Sequence, residues 1–442
     1  MNNYKPTIGL EIHVELATKS KMFCSCPADW FGKKPNTHTC PVCLGLPGAL
    51  PIANEKAIEW TIKIAQALNC TIPLISKFDR KHYIYPDLPK SFQLSQYDEP
   101  IGQRGNLSVH FDSIDNVKSF GITRVHLEED AGKLIHNGNE SWVDYNRSGV
   151  PLVEIVTEPD FHDSTEVKKF LEELHTLIRA LGVSDANMEE GSMRLEPNIS
   201  VGLSSLSSLP PYKVEVKNIN SFKFAKNAID YEVKRHIEIL EKGEIPVQET
   251  RGYVEKNAST VSQRIKEDAQ DYRYFPEPDI PPLMFSNEYV ESIKRTIPEL
   301  PSVRLVRYVK NEGVSFNDAY IITRSVELTE YFEQLIVILS EAKNPGATSS
   351  RLASMLVNKR ISMTDSPKDS IKKAVDSSSP IQTDESALSE AIKKVISEQP
   401  KAVAEYKSGK ETVLMFLVGM VMREMKGQAD ANTVKEALLR LR

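Results

Sequence analysis

The amino-acid sequence predicts an α+β protein, with an antiparallel sheet in roughly the first two-thirds of the chain and helices in the remainder. Three observations carry this expectation. Residues 7 to 285 are dominated by strands of alternating polar and apolar side chains, interrupted by helical patterns only near 54–68, 164–181 and 221–242. Beyond about residue 290 the apolar spacing is helical almost throughout. Four of the 5 cysteines crowd into one short segment, Cys24-x-Cys26 and Cys40-x-x-Cys43, directly behind the first strand.

That first strand, residues 7–16, places Glu11, His13 and Glu15 on one face and Ile8, Leu10, Ile12, Val14 and Leu16 on the other, because successive strand side chains point to opposite sides. The cysteine pairs follow. Two short pairs joined by the polar loop Pro35–Thr39, with Pro41 shaping the second pair as a knuckle, predict a structural zinc clip at residues 24–43 held by Cys24, Cys26, Cys40 and Cys43. Met1 to Pro6 is polar and holds no apolar leader, which argues against a disulfide framework and predicts a cytoplasmic protein. Cys70 follows a helix-like stretch and is expected to be a packed residue.

Three later strands repeat the pattern of the first. In residues 122–128, Arg124, His126 and Glu128 oppose Thr123, Val125 and Leu127; in 193–201, Arg194, Glu196, Asn198 and Ser200 oppose Met193, Leu195, Ile199 and Val201; in 213–217, Lys213, Glu215 and Lys217 oppose Val214 and Val216. Asn146–Pro151 leads into a further acid-bearing strand with Glu154 and Glu158. Any one such face is explained by solvation alone. Recurrence of His and Glu at i and i+2 on several strands favours convergence, and converging carboxylates repel unless a divalent cation lies among them. Oxygen ligands with one imidazole suit Mg²⁺ or Mn²⁺, which bind phosphate oxygens as well. With no G-x-x-x-x-G-K-[ST] and no G-x-G-x-x-G in the chain, the expectation is a concave sheet that binds nucleotide through metal.

The third helical pattern is long, amphipathic and stopped by Gly243, and a Ser-rich stretch from Ser362 to Ser389, containing Ser377-Ser378-Ser379-Pro380, is expected to be a flexible junction. The run Val413 to Met422 is too short to span a bilayer and fits a buried helix. With 442 residues and 40% hydrophobic content, a sizeable core and about three domains are expected. The net charge of −6 argues against a surface that coats nucleic acid generally. Lys and Arg slightly outnumber Asp and Glu after residue 300, so any polyanion contact is favoured in the tail.

Five strings carry a resemblance: Gly9–His13, Cys40–Gly48, Tyr85–Lys90, Leu127–Lys133 and Asp271–Asp279. Together they are similar to the B-subunit family of the aspartyl/glutamyl-tRNA amidotransferases, in register from residue 7 to about 290 and again from Gly409-Lys410 to Gly427. Between about 345 and 395 the likeness is one of character only.

The resemblance implies a cradle domain like glutamine synthetase and the guanido kinases over residues 1–290, a helical linker over 291–375 and a helical tRNA-contacting tail over 376–442. It implies ATP-dependent amidation of Glu-tRNA(Gln), Asp-tRNA(Asn) or both. It places Mg²⁺ ligands on Glu11, His13, Glu128, Glu196 and Glu215, with Glu11, His13, Glu128 and Glu215 catalytic. Glu129 competes with Glu128, and alternation with Arg124 and His126 selects Glu128. Where the family has Asp in a Cys-Asp-Ala-Asn string, this chain has Leu195-Glu196-Pro197-Asn198, one methylene longer at the ligand. Arg194, Lys213, Lys217 and Arg273 are candidates for phosphate or acceptor-stem contacts, and surface ion pairing explains each equally well.

The chain shows no glutaminase signature, so the resemblance implies an amidase-type A subunit that supplies ammonia and a small C subunit that wraps both. Two other classes fit the residues: a free-standing carboxylate–amine ligase for a small molecule, and a noncatalytic tRNA adaptor whose acidic faces are merely solvated.

Overall fold

The computed structural model describes residues 3–205, 208–265, 272–342, 347–377, 384–407, 412–425, 429 and 431–440. Asp271, Ser378–Pro380, Gly409-Lys410 and Gly427 of the sequence motifs lie outside the described residues. Two compact units are present, Met1–Thr329 and Glu330–Arg442.

The first unit opens with β1 (Tyr4–Glu15), α1 (Glu55–Ala67), β2 (Ile75–Ser76), β3 (Asp79–His82), β4 (Phe92–Ser95), β5 (Gly102–His110) and β6 (Val117–Glu129). There follow β7 (Lys133–Asn137), β8 (Glu140–Asp144), β9 (Pro151–Thr157), α2 (Ser164–Leu181), β10 (Met193–Leu203), β11 (Val214–Lys217), α3 (Phe222–Leu240), β12 (Glu249–Val254) and β13 (Ser259–Ile265). The unit continues with β14 (Phe275–Pro276), β15 (Leu283–Met284), α4 (Asn287–Lys294), α5 (Pro301–Lys310) and α6 (Phe316–Thr323).

An eight-stranded sheet has the order β13-β12-β11-β10-β1-β9-β6-β5. Every pair is antiparallel except β11–β12, which α3 connects as a crossover, as a parallel pair requires. The aliphatic row of β1, Ile8 to Val14, is at most 1% exposed and shares one core with Ile62 of α1, Phe170 of α2 and Ala228 of α3. Helices therefore cover the apolar face, and the charged residues of β1, β9, β6 and β10 project from the other. Beside that second face lies a small sheet in the order β14-β3-β4.

The three predicted helices are present, with side-chain caps from Asn54, Asp163 and Ser221 at their starts. Gly243, at φ 78°, follows the end of α3. One strand departs from simple alternation. The β6–β9 register slips between Ile122 and Arg124, so Ile122, not Thr123, enters the core, and the Thr123 hydroxyl donates to Glu158 at 2.7 Å. A bulge inserts one residue and reverses which neighbour faces inward.

The helices after residue 290 begin inside the first unit. Ile293 of α4 joins the sheet's core, Tyr320 of α6 donates to Glu172 at 2.9 Å, and Arg324 pairs with Glu173. Beyond α7 (Val326–Ala342), the second unit contains α8 (Ser349–Val357), α9 (Pro367–Asp376), α10 (Glu385–Glu398), α11 (Pro400–Lys407), α12 (Thr412–Glu424) and α13 (Ala431–Leu439). The Ser-rich stretch expected as a junction thus holds α9, which Ser366 caps and Pro367 starts at a position where the missing N–H costs nothing. In the tail Leu414, Leu417, Val418 and Val421 of α12 pack with α10 and α13, whereas Met415 and Phe416 are exposed. No described helix is long and apolar enough to cross a membrane.

Candidate active site

Strand pairing sets the site. His13 lies opposite Arg194 on β10 and Glu154 on β9, and Glu154 lies opposite His126 on β6. Glu11 lies opposite Glu196, and Asn198 opposite Glu215. Two triads of donors result, one on each side of the β1 midline.

In the first, Glu11, Glu196 and Glu215 bring one carboxylate oxygen each within 4.8 Å of the others. Lys217 Nζ sits 3.0 Å from Glu196 and 3.2 Å from Glu215. Asn198 donates to Glu11 at 2.9 Å and Thr250 to Glu215 at 3.0 Å. Burial and a proton shared with Glu215 push Glu196 up to about 7, although Lys217 pulls it down. One lysine does not balance three carboxylates, and such a set fits a divalent cation.

The second triad is His13, Glu128 and Glu154, again with donors within 4.8 Å. His13 Nε2 lies 3.7 Å from Glu128 and 3.5 Å from Glu154, and the buried His126 lies 3.0 Å from Glu154. Burial alone would lower the His13 pKa, but the Glu154 hydrogen bond and the charges of Glu154 and Glu128 outweigh it and raise His13 to about 9. Lys81 of β3 faces this triad. Its burial is outweighed by Glu128, Tyr274 and Glu154, so it stays firmly protonated. Ser95 of β4 donates to Glu128 at 3.1 Å.

Glu129 points elsewhere, pairing with Lys90 and accepting from the Leu94 amide at 3.0 Å. Arg194 is engaged by Glu15 at 3.3 Å and by Asp130, which Arg147 also approaches at 3.7 Å. Its guanidinium is thus committed to carboxylates. Lys213 instead lines an open cleft of about 400 Å³ together with Glu11, Asn198, Gly9 and Gln248. Arg273 is exposed, at φ 45°.

Sequence reasoning placed Glu154 on an acid-bearing strand without assigning it to the site, and missed Lys81. Glu154 is the one charged residue in the apolar run from Leu152 to Val156, where alternation gives no direction, and only pairing with β1 aligns it with His13. Lys81 sits on a four-residue strand outside the main sheet, where no pattern marks its direction.

The four cysteine sulfurs also lie within 4.8 Å of one another. The Cys40 amide donates to Cys43 Sγ at 3.1 Å, the N–H···S contact of a knuckle, and buried Lys21 lies 3.9 Å from the same sulfur. A hydrogen bond from Cys24, the Cys40 amide and Lys21 lower Cys43 to about 5 against the effect of burial, giving that one sulfur thiolate character, while the hydrogen bond given to Cys43 pushes Cys24 well up and burial pushes Cys26 up to about 11. The donor set and spacing fit zinc. Cys70 is buried in the sheet's core and pushed up to about 12 by burial, which makes it unreactive.

The chain is similar to known proteins over nearly all of its length. A family model described as the GatB/GatE catalytic domain matches residues 6–291, and one described as the GatB domain matches residues 287–441. A Carboxydothermus hydrogenoformans protein, named as the B subunit of an aspartyl/glutamyl-tRNA(Asn/Gln) amidotransferase, is 42% identical, with 99% of this chain and 98% of that protein covered. Proteins of the same name from Thermotoga maritima and Brevibacillus brevis are 43% and 41% identical, each over 99% of this chain.

Proposed function

This chain belongs to the GatB/GatE family of tRNA-dependent amidotransferase B subunits, and from that premise we propose that its acidic sheet face is where ATP activates a tRNA-borne carboxylate for amidation. The family's activity is that of an ATP-using, glutamine-dependent carbon–nitrogen ligase, and the chain is its catalytic subunit. The observation that carries the site assignment is the meeting of two donor triads across one strand, Glu11–Glu196–Glu215 and His13–Glu128–Glu154.

The chemistry follows from the poor reactivity of a carboxylate toward amines. Its oxygen attacks the γ-phosphorus of ATP, ADP leaves, and ammonia then attacks the acyl carbon with loss of phosphate and a proton. Mg²⁺ held by the two triads would offset the charge on the phosphates. We assign Lys213, which lines the cleft, Lys217, which bridges Glu196 and Glu215, and Lys81, on the β3 side, to the same phosphates. We assign Arg194 to holding Glu15 and Asp130, and so β10 and the loop after β6, in place of the phosphate contact its sequence position allowed. The longer Glu196 side chain reaches the triad while salt-bridged to Lys217.

The open antiparallel face fits the cradle likeness to glutamine synthetase and the guanido kinases over residues 1–290. The helices of 291–375 and 376–442 fit a linker and a tRNA-contacting tail, the latter with its own apolar core. Ammonia is assigned to an amidase-type A subunit, because Cys70 is buried and the other thiols are gathered in the zinc clip. A small C subunit completes the assembly, whose place is the cytoplasm. Glu-tRNA(Gln) and Asp-tRNA(Asn) are both substrates this site chemistry accommodates.

The test supplies ammonium chloride, ATP and Mg²⁺ to the purified complex with Glu-tRNA(Gln) and follows Gln-tRNA. Glu11→Ala is expected to lower kcat by about two orders of magnitude or more, as loss of a charge-stabilising group does. Equal rates in wild type and Glu11→Ala would make the face solvated surface.

A further inference from the structure

The string Tyr272 to Asp279 takes no part in the donor triads, yet the fold brings it to their edge. Tyr272 and Phe275 are laid along β3: the His82 amide donates to the Tyr272 carbonyl at 2.8 Å, and β14 pairs with Asp79 and Arg80. This fixes Tyr274 against Tyr97, with ring centroids 4.3 Å apart and planes 12° from parallel. Tyr97 follows β4 by two residues, and Ser95 at the end of that strand donates to Glu128. Tyr272 packs edge-on against both Tyr274 and Tyr83, and Lys81 Nζ lies 5.0 Å from the Tyr272 ring centre. The stack therefore starts half-buried beside Lys81 and the His13–Glu128–Glu154 triad and ends at Tyr97, which is 57% exposed.

A large aromatic ring left mostly in solvent, its amide held by the Asp79 side chain at 3.1 Å and its face backed by a second ring whose segment pairs with β3 on both sides, is suited to receiving a third planar group. Aromatic platforms bind nucleobases because every base offers a π-face. We propose that Tyr97, backed by Tyr274, is a stacking platform for an adenine base beside the reaction centre. This rests on the reading above that the acidic face activates a tRNA-borne carboxylate. Two substrates then bring adenine to this place: ATP, and the terminal adenosine of tRNA, whose ribose carries the amino acid within one nucleoside's length of the carboxylate. An exposed tyrosine pair with no ligand would serve only to hold the Tyr272–Phe275 segment, a role that stacking with any ring or loss of one exposed ring barely disturbs.

The experiment uses the intact complex with ammonium chloride as nitrogen donor and measures KM separately for ATP and for aminoacyl-tRNA in wild type, Tyr97→Ala, Tyr97→Leu and Tyr97→Phe. Tyr97→Ala and Tyr97→Leu are expected to raise one of the two KM values about tenfold or more, with Tyr97→Phe within about twofold of wild type, since the ring supplies the stacking. A rise for aminoacyl-tRNA assigns the terminal adenosine, and a rise for ATP assigns the nucleotide. Both KM values unchanged in Tyr97→Ala and Tyr97→Leu would overturn the platform. Equilibrium binding of ATP alone and of uncharged tRNA alone to the same variants gives the platform a readout independent of turnover. Absence of ATP-dependent amidation in wild type would instead remove the reading on which the platform rests.

Discussion

Glu232 of α3 is fully buried, yet it is ionised by its neighbours. Arg235 lies 2.7 Å away, Arg251 3.0 Å and His236 3.1 Å, and the Thr260 hydroxyl donates to it. Burial would raise its pKa, but the His236, Arg235 and Thr260 hydrogen bonds together hold it at about 2. Because the folded value lies below the ordinary one, the resulting stability is complete above about pH 4.5 and is lost as pH falls toward 2, amounting to about 3 kcal/mol. Glu232→Gln should therefore lower the melting temperature at pH 7 and flatten its fall between pH 4.5 and 2, read by calorimetry across that range. At the same scale, Glu154→Gln should weaken divalent-cation binding about tenfold or more without unfolding the sheet, measured by titration with Mn²⁺ as a paramagnetic reporter. Alternation made Glu11, His13, Glu128, Glu196 and Glu215 legible as residues of polar strand faces. It could not reveal that Glu154 meets His13 or that Arg194 is captured by Asp130, because those are facts of pairing and of a loop's path.

Among the elements, α2 shows how local sequence closes a helix that the site needs as backing. The Asp163 side chain accepts from the Thr165 and Glu166 amides, and Gly182 ends the helix at φ 68°, which an L side chain adopts only with strain. Asp163→Ala should cost about 1 kcal/mol, seen as a shifted denaturant midpoint with unchanged slope. The four-cysteine cluster, proposed as a zinc clip, is tied to its surroundings in the same manner. Its loop is stitched to the end of β8 in the β7–β8 hairpin and the residues just beyond it, with the Asn36 amide donating to Asp144 at 2.9 Å and the His38 amide to Asn146 at 2.7 Å. Replacing Cys40 and Cys43 together by Ser should abolish near-stoichiometric zinc in metal analysis of protein purified without chelator and loosen this hairpin's amide protection in hydrogen exchange. A metal-free wild type that stays folded would exclude the clip. Helix boundaries were legible here because caps are local. The Thr123 bulge was not, because it is defined only against the partner strand β9.

At the level of the whole molecule, the donor triads belong to the unit Met1–Thr329, and the C-terminal helices belong to Glu330–Arg442. Removing 330–442 should leave Mn²⁺ binding to the first unit within about twofold while raising KM for aminoacyl-tRNA in the assembled complex, since Lys and Arg of a tail neutralise phosphates. Its salt dependence should fall in parallel. The sequence by itself determined the class of the fold, the apolar and polar faces of each long strand, the helix starts and the cysteine set. Each depends on a short period or on spacing that survives without knowledge of neighbours. Only the tertiary structure decided which faces meet. Register on β1 sorts the acids into two triads, a short outlying strand carries Lys81 over one of them, and the strand-anchored segment after Tyr272 brings Tyr274 beneath Tyr97. Such meetings join residues far apart in the chain, and their physical cause is strand pairing and core packing, which no local pattern encodes.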